Sequence, residues 1–172
     1  LKTVIGSFDP NDKQVTPEGL GATGDVLHNT RFDYRIRFQN TGTASAINIF
    51  VMDTIDSELD LNTFVMHRAS HNYDLVINGN ILTWRFFNIN LPDSTNDERG
   101  SHGFVKFAIN AKPTLRLTDK IENKAYIYFD FNVPVITNTV GSTVGFETSI
   151  KEPGKKLALT ASPNPTKDVI MV

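Results

Sequence analysis

The sequence predicts an all-β protein, an antiparallel sandwich of about seven or eight strands. Hydrophobic residues alternate with polar ones in several segments, turn-forming residues separate those segments, and no long segment carries the 3.6-residue period of an amphipathic helix. The last observation excludes a parallel α/β fold, because parallel strands need a long crossover connection that is usually helical.

The clearest segment is 31–39, where Phe32, Tyr34, Ile36 and Phe38 alternate with Arg31, Asp33, Arg35, Arg37 and Gln39. One face of this strand must be apolar and the other charged. Residues 46–54 put Ile47, Ile49 and Val51 on one side, and 55–63 leave room for one short helical turn. Asn78-Gly79-Asn80 separates 73–77 from 81–86, and Asn-Gly between alternating runs marks a hairpin. Leu82, Trp84 and Phe86 share one face of 81–86, and a polar loop follows from Leu91-Pro92-Asp93 to Gly100. Val105, Phe107 and Ile109 share one face of 103–110, and Pro113 and Thr118-Asp119 bracket a less regular stretch. The run 125–131 has β-favouring aromatics on both faces, as a central strand would. Strands and turns at this spacing predict an immunoglobulin-like sandwich.

This body is expected over 1–150, with an irregular lead-in at 9–24 rich in Pro, Gly, Asp and Thr. Lys151-Glu-Pro-Gly-Lys-Lys156 reads as a linker, and 157–172 as the opening of something else. The abrupt start at Leu1 and stop at Val172 suggest a piece of a longer protein.

Charge and composition narrow the function. With 17 Lys+Arg against 19 Asp+Glu the net charge is −2, and there is no basic stripe for nucleic acid. Arg31, Arg35 and Arg37 share a face but are interrupted by Asp33, as on a solvated surface. The chain has no cysteine, so disulfides, thiolate nucleophiles and Cys-ligated zinc are excluded. No apolar run approaches the roughly 20 residues of a membrane-spanning helix.

Asp9-Pro10-Asn11-Asp12 offers hard oxygen ligands in a turn, which suits Ca²⁺. It is similar to the Asp-x-Asn-Asp linker motif of cadherins, although Lys13 stands where an Asn would follow. Asp53 and Asp130 are candidates for completing such a site. The competing reading is an Asx-turn, in which Asp9 and Asn11 bond the local backbone. Asp93, Asp97 and Glu98 form a second acidic group, better read as a solvated loop. His67 and His71 have helical zinc spacing, but they lie in strand and turn with no Glu between them. Ser70-His71 and Ser101-His102 are sequence neighbours rather than a triad, and no Gly-x-Ser-x-Gly elbow occurs. The chain therefore reads as non-catalytic. The aromatics Phe50, Tyr73, Trp84, Tyr126 and Tyr128 offer the members of a flat carbohydrate platform, with Trp84 and Tyr73 as ligand contacts. Against this, Trp84 shares its face with Leu82 and Phe86, which argues for burial.

Two resemblances add to this. Residues 157–161, Pro163-Asn164-Pro165-Thr166 and 169–172 resemble the start of a type IX secretion sorting domain: strand, turn, strand. The body resembles the β-sandwich module that precedes such sorting domains in secreted bacterial surface proteins. The matching pieces are Asp9-Pro-Asn-Asp-Lys13, Tyr34–Thr43, Asp53-Thr54, Leu91-Pro-Asp-Ser94, Ile127–Val135 and Thr137-Asn-Thr139. The resemblance implies export across the outer membrane by the type IX machinery, a secreted or cell-surface location, and no enzymatic activity. The expected function is a structural or adhesive module ahead of a C-terminal secretion signal, with a surface polysaccharide or protein as partner. The alternative is a carbohydrate-binding accessory module of an extracellular enzyme.

Overall fold

The computed structural model describes residues 9–145. The linker at 151–156 and the tail at 157–172 lie outside the described residues. Within them the chain forms twelve strands and no helix: β1 (Lys13–Thr16), β2 (Asp25–Val26), β3 (Arg31–Gln39), β4 (Ile49–Thr54), β5 (Leu59–Ala69), β6 (Asp74–Asn78), β7 (Ile81–Phe86), β8 (His102–Ala111), β9 (Lys120–Asn123), β10 (Ala125–Phe129), β11 (Val135–Ile136) and β12 (Val140–Val144). The excess over seven or eight comes partly from two-residue strands, β2 and β11.

These strands form a four-stranded sheet β1-β3-β8-β5, a five-stranded sheet β11-β10-β4-β7-β6 and a small sheet β2-β12-β9. The two larger sheets face each other. Trp84 of β7 stacks on Phe107 of β8 with ring centroids 5.3 Å apart, and Phe38 of β3 meets Phe86 of β7 at 5.5 Å. Alternation decides which side chains fill the space between them. Phe32, Ile36 and Phe38 are fully buried, as are Ile49 and Val51, Leu82, Trp84 and Phe86, and Val105, Phe107 and Ile109. Burying a side chain of this size is worth about 1.5–3 kcal/mol, so these alternating runs supply the main drive to fold.

Local chemistry sets the connections. β6 and β7 pair antiparallel with Asn78 opposite Ile81, which leaves Gly79-Asn80 as a two-residue loop. Gly79 adopts a φ of 58°, the left-handed region that favours glycine. Gly103 of β8 sits opposite Phe38, and a Cβ there would lie 2.1 Å from the Phe38 ring. The absence of a side chain thus admits the aromatic ring.

Some expectations need correction. Residues 55–63 form no helical turn; a tight turn from Asp56 to Leu59 leads directly into β5. Ile47 is exposed, and β4 begins only at Ile49. The lead-in at 9–24 is not wholly irregular, because β1 lies within it and pairs with β3 from Lys13↔Ile36 to Thr16↔Asp33. One short pairing is parallel, Thr143↔Asp25 and Val144↔Val26.

Candidate functional site

The inward face of three strands carries polar groups where the pattern calls for apolar ones. Lys13 alternates with Val15 on β1, Asp53 follows Ile49 and Val51 on β4, and Asn123 lies between Ile121 and Ala125. All three are buried, at 1%, 0% and 2% exposure. Lysine and aspartate are almost never fully buried unless paired, and here the Lys13 ammonium is paired directly with Asp53 Oδ2.

Aromatic rings enclose the amine. Lys13 Nζ lies 4.8 Å from the Tyr34 ring centre and 5.7 Å from that of Phe107. Phe107 is in turn sandwiched between Tyr34, 5.4 Å away, and Trp84. Burial pushes the Lys13 amine below its ordinary value, against the upward pull of Asp53. Burial likewise pushes Asp53 up, against Lys13. Both directions favour the uncharged pair, an amine beside a carboxylic acid.

Asn123 completes the group. Ala125, two residues on, pairs with Asp53 in the sheet, which brings the end of β9 beside that carboxyl. The Asn123 amide is near enough to bias the titration of both Asp53 and Tyr34. Yet neither its Nδ2 nor its Oδ1 completes a hydrogen bond of good geometry, and Asp53 Oδ1 is also without a partner. A buried polar atom left unpaired costs about 1–3 kcal/mol, so three in one cluster require an explanation.

The turn before β1 seats Lys13. Asp9 Oδ1 accepts the Asn11 N–H at 2.9 Å, forming the Asx-turn. Asn11 Oδ1 accepts the Gln39 N–H at 3.1 Å. Asp12 receives two bonds of 2.6 Å from the Arg37 guanidinium, while its carbonyl accepts the Arg37 N–H at 2.8 Å. On the other side Asn138 brackets Lys13, its Oδ1 accepting the Lys13 N–H at 2.9 Å and its Nδ2 donating to the Lys13 carbonyl at 3.0 Å.

The residues considered for Ca²⁺ therefore have internal partners: Asp9 the local backbone, Asn11 strand β3, Asp12 Arg37. Asp53 is not available to them, being in the core with Lys13, and Asp130 accepts the N–H groups of Ile47 and Asn48. Among the described residues no three His, Cys, Asp or Glu side chains gather as a metal site would require. In the loop, Asp93 accepts from Thr95 and Asn96, Asp97 from Gly100, and Glu98 meets His102 at 3.0 Å. His67 meets Asp33 at 3.0 Å and His71 the Ser70 hydroxyl at 2.8 Å.

Trp84 is corrected as a carbohydrate contact. It is 0% exposed, stacked on Phe107, with its Nε1 donating to Met66 Sδ. Tyr73 is half-buried and packs against Phe86. On the outer face of the five-stranded sheet, Phe50, Phe87 and Tyr128 instead line a shallow groove with Arg85 and Asp130. Phe87 is half exposed and meets Phe50 edge to face at 5.6 Å.

The polar cluster was the feature that sequence reading missed. In the sequence Lys13 stands out as a departure from a calcium motif and as the end of a matched segment, and no local pattern marks Asn123. The signal was present as three polar residues in register with apolar neighbours two positions away.

The fold is shared with bacterial surface proteins. Domains D2 and D3 of the major pilin SpaD from Corynebacterium diphtheriae match with a TM-score of 0.53 at 17% identity, over 76% of this chain and 51% of that one. The N-terminal domain of the Streptococcus gordonii adhesin Sgo0707 matches with a TM-score of 0.57 at 14% identity, over 80% and 33%. The major pilin SpaA of Corynebacterium diphtheriae, described as pointing to a modular pilus assembly with stabilizing isopeptide bonds, matches with a TM-score of 0.53 at 12% identity, over 80% and 39%. This chain thus spans about a third to a half of the length of these solved chains. At such identities the likeness establishes the immunoglobulin-like sandwich and no more. No curated protein matches the chain. One family model covers residues 9–143, nearly all of the described sandwich, and the chain belongs to that family, the domain of unknown function DUF7619.

Proposed function

We propose that this chain is a non-catalytic structural or adhesive module of a secreted or cell-surface bacterial protein, placed ahead of a C-terminal secretion signal. The observation that carries this reading is the fold likeness over three quarters or more of the chain to pilin and adhesin domains. The tail supports the placement, since Pro163-Asn164-Pro165-Thr166 follows a linker and resembles the start of a type IX sorting domain. A module of this kind displays or spaces other parts of its parent protein. The test is made in the full-length protein: with everything after Lys155 removed, the protein should stay inside the cell. Undiminished surface labelling of that truncation overturns the placement.

The outer-face aromatics favour a second reading, a carbohydrate-binding accessory module. Phe50, Phe87 and Tyr128 offer apolar faces beside the charged Arg85 and Asp130, the mixture a sugar ring needs. In affinity gels cast with polysaccharide, retardation of the chain should disappear with Phe87→Ala. Equal mobility of both proteins on every polymer removes this reading.

A further inference from the structure

Lys13, Asp53 and Asn123 are an amine, a carboxyl and a carboxamide held together in the buried core. As separate side chains they are an unfavourable arrangement. A buried ion pair must offset the desolvation of both charges, and both polar atoms of Asn123 and Oδ1 of Asp53 lack hydrogen-bond partners. We propose that Lys13 and Asn123 are joined by an amide bond between Lys13 Nζ and Asn123 Cγ, formed within the folded chain with Asp53 as the proton carrier.

The reaction balances without any further reagent. The neutral Lys13 amine attacks Asn123 Cγ, and the protonated Asp53 carboxyl hydrogen-bonds the amide oxygen as negative charge develops there. Asp53 then takes a proton from the attacking nitrogen and delivers one to the departing Nδ2. The Cγ–Nδ2 bond breaks, the Nζ–Cγ bond remains, and one ammonia leaves. Nothing is oxidised or reduced, and Asp53 ends as it began, protonated.

Each part of the surroundings serves this chemistry. An amine is a nucleophile only when neutral, and burial among Tyr34 and Phe107 lowers its proton affinity. A carboxyl acts as a proton donor only when protonated, and burial raises Asp53. Asp53 touches the amine and lies beside the amide, which is where a carrier between them must stand. Holding reactants in such geometry supplies much of the barrier lowering that a slow amide exchange needs. The product replaces a buried amine–acid pair and an orphaned amide with one amide and one neutral acid. The inference holds whether or not the module is adhesive.

Intact-mass spectrometry of the purified full chain, unfolded in acid, tests it. The wild-type mass should be lower than the sequence mass by one ammonia, and tryptic digestion should yield a branched peptide joining the Lys13 and Asn123 segments. Asn123→Ala and Asp53→Asn should carry their full sequence masses, with circular dichroism reporting whether each is folded. Wild-type protein that is folded and of full mass overturns the proposal. So does loss of one water with a peptide joining Lys13 to Asp53, which would place the bond on the other partner. Both decisive readings come from the wild-type chain, so they stand even where a variant does not fold.

Discussion

Tyr34 shows how much the environment of the cluster controls single residues. Its ring lies against the Lys13 amine, and its hydroxyl is pushed well above the ordinary tyrosine value, first by burial and then by the neighbouring Asp53 and Asp56 side chains. An unfolded chain releases this proton near about pH 10, whereas the folded chain keeps it. Above that pH the folded state binds more protons than the unfolded state, so stability must fall as pH rises. The contribution is fully present below about pH 10 and is lost at about 1.4 kcal/mol per pH unit above it. We expect the melting temperature of wild type to fall more steeply with alkaline pH than that of Tyr34→Phe, which has no proton to release. Melting curves of the two proteins between about pH 8 and pH 11 check this, and parallel declines would show that Tyr34 ionises as freely in the core as outside it.

At the level of strands, alternation was the legible part of the sequence. Phe32 through Phe38, Leu82 through Phe86 and Val105 through Ile109 all bury the face their period assigned. The Asn78-Gly79-Asn80 hairpin also forms where turn chemistry placed it. β1 is not legible in this way, because its four residues offer only one apolar inward side chain, Val15, beside a charged one. Strand formation there does not rest on local apolar pattern. It rests on the ladder with β3 and on long-range anchors: Asn11 to Gln39, Asp12 to Arg37, and Asn138 to Lys13. The same explains why Asp9-Pro-Asn-Asp read as a calcium motif. Its oxygens have the chemistry of cation ligands, and in the tertiary structure they accept from backbone amides and a guanidinium. Trp84 illustrates the opposite case, in which its inward register with Leu82 and Phe86 already decided against a surface role.

Across the whole molecule, the cluster connects distant parts of the chain. β1 is the first strand, β9 is near the end of the described sandwich, and Asp53 belongs to the opposite sheet. An amide from Lys13 to Asn123 would close a loop of roughly 110 residues, almost the entire sandwich, and by the chain-entropy model a cross-link of that span stabilises by about 5 kcal/mol. For a domain of this size that corresponds to about 10–20 °C in melting temperature. We expect Asn123→Ala to lower the melting temperature by that amount, more than removal of a small side chain would explain. A second comparison separates the bond from the packing: in a chain already carrying Asp53→Asn, which cannot form the bond, Asn123→Ala should cost far less. Residues acting through one covalent link are non-additive in this way. Calorimetry of the four proteins measures it, and equal losses in both backgrounds would mean that Asn123 contributes only by filling space.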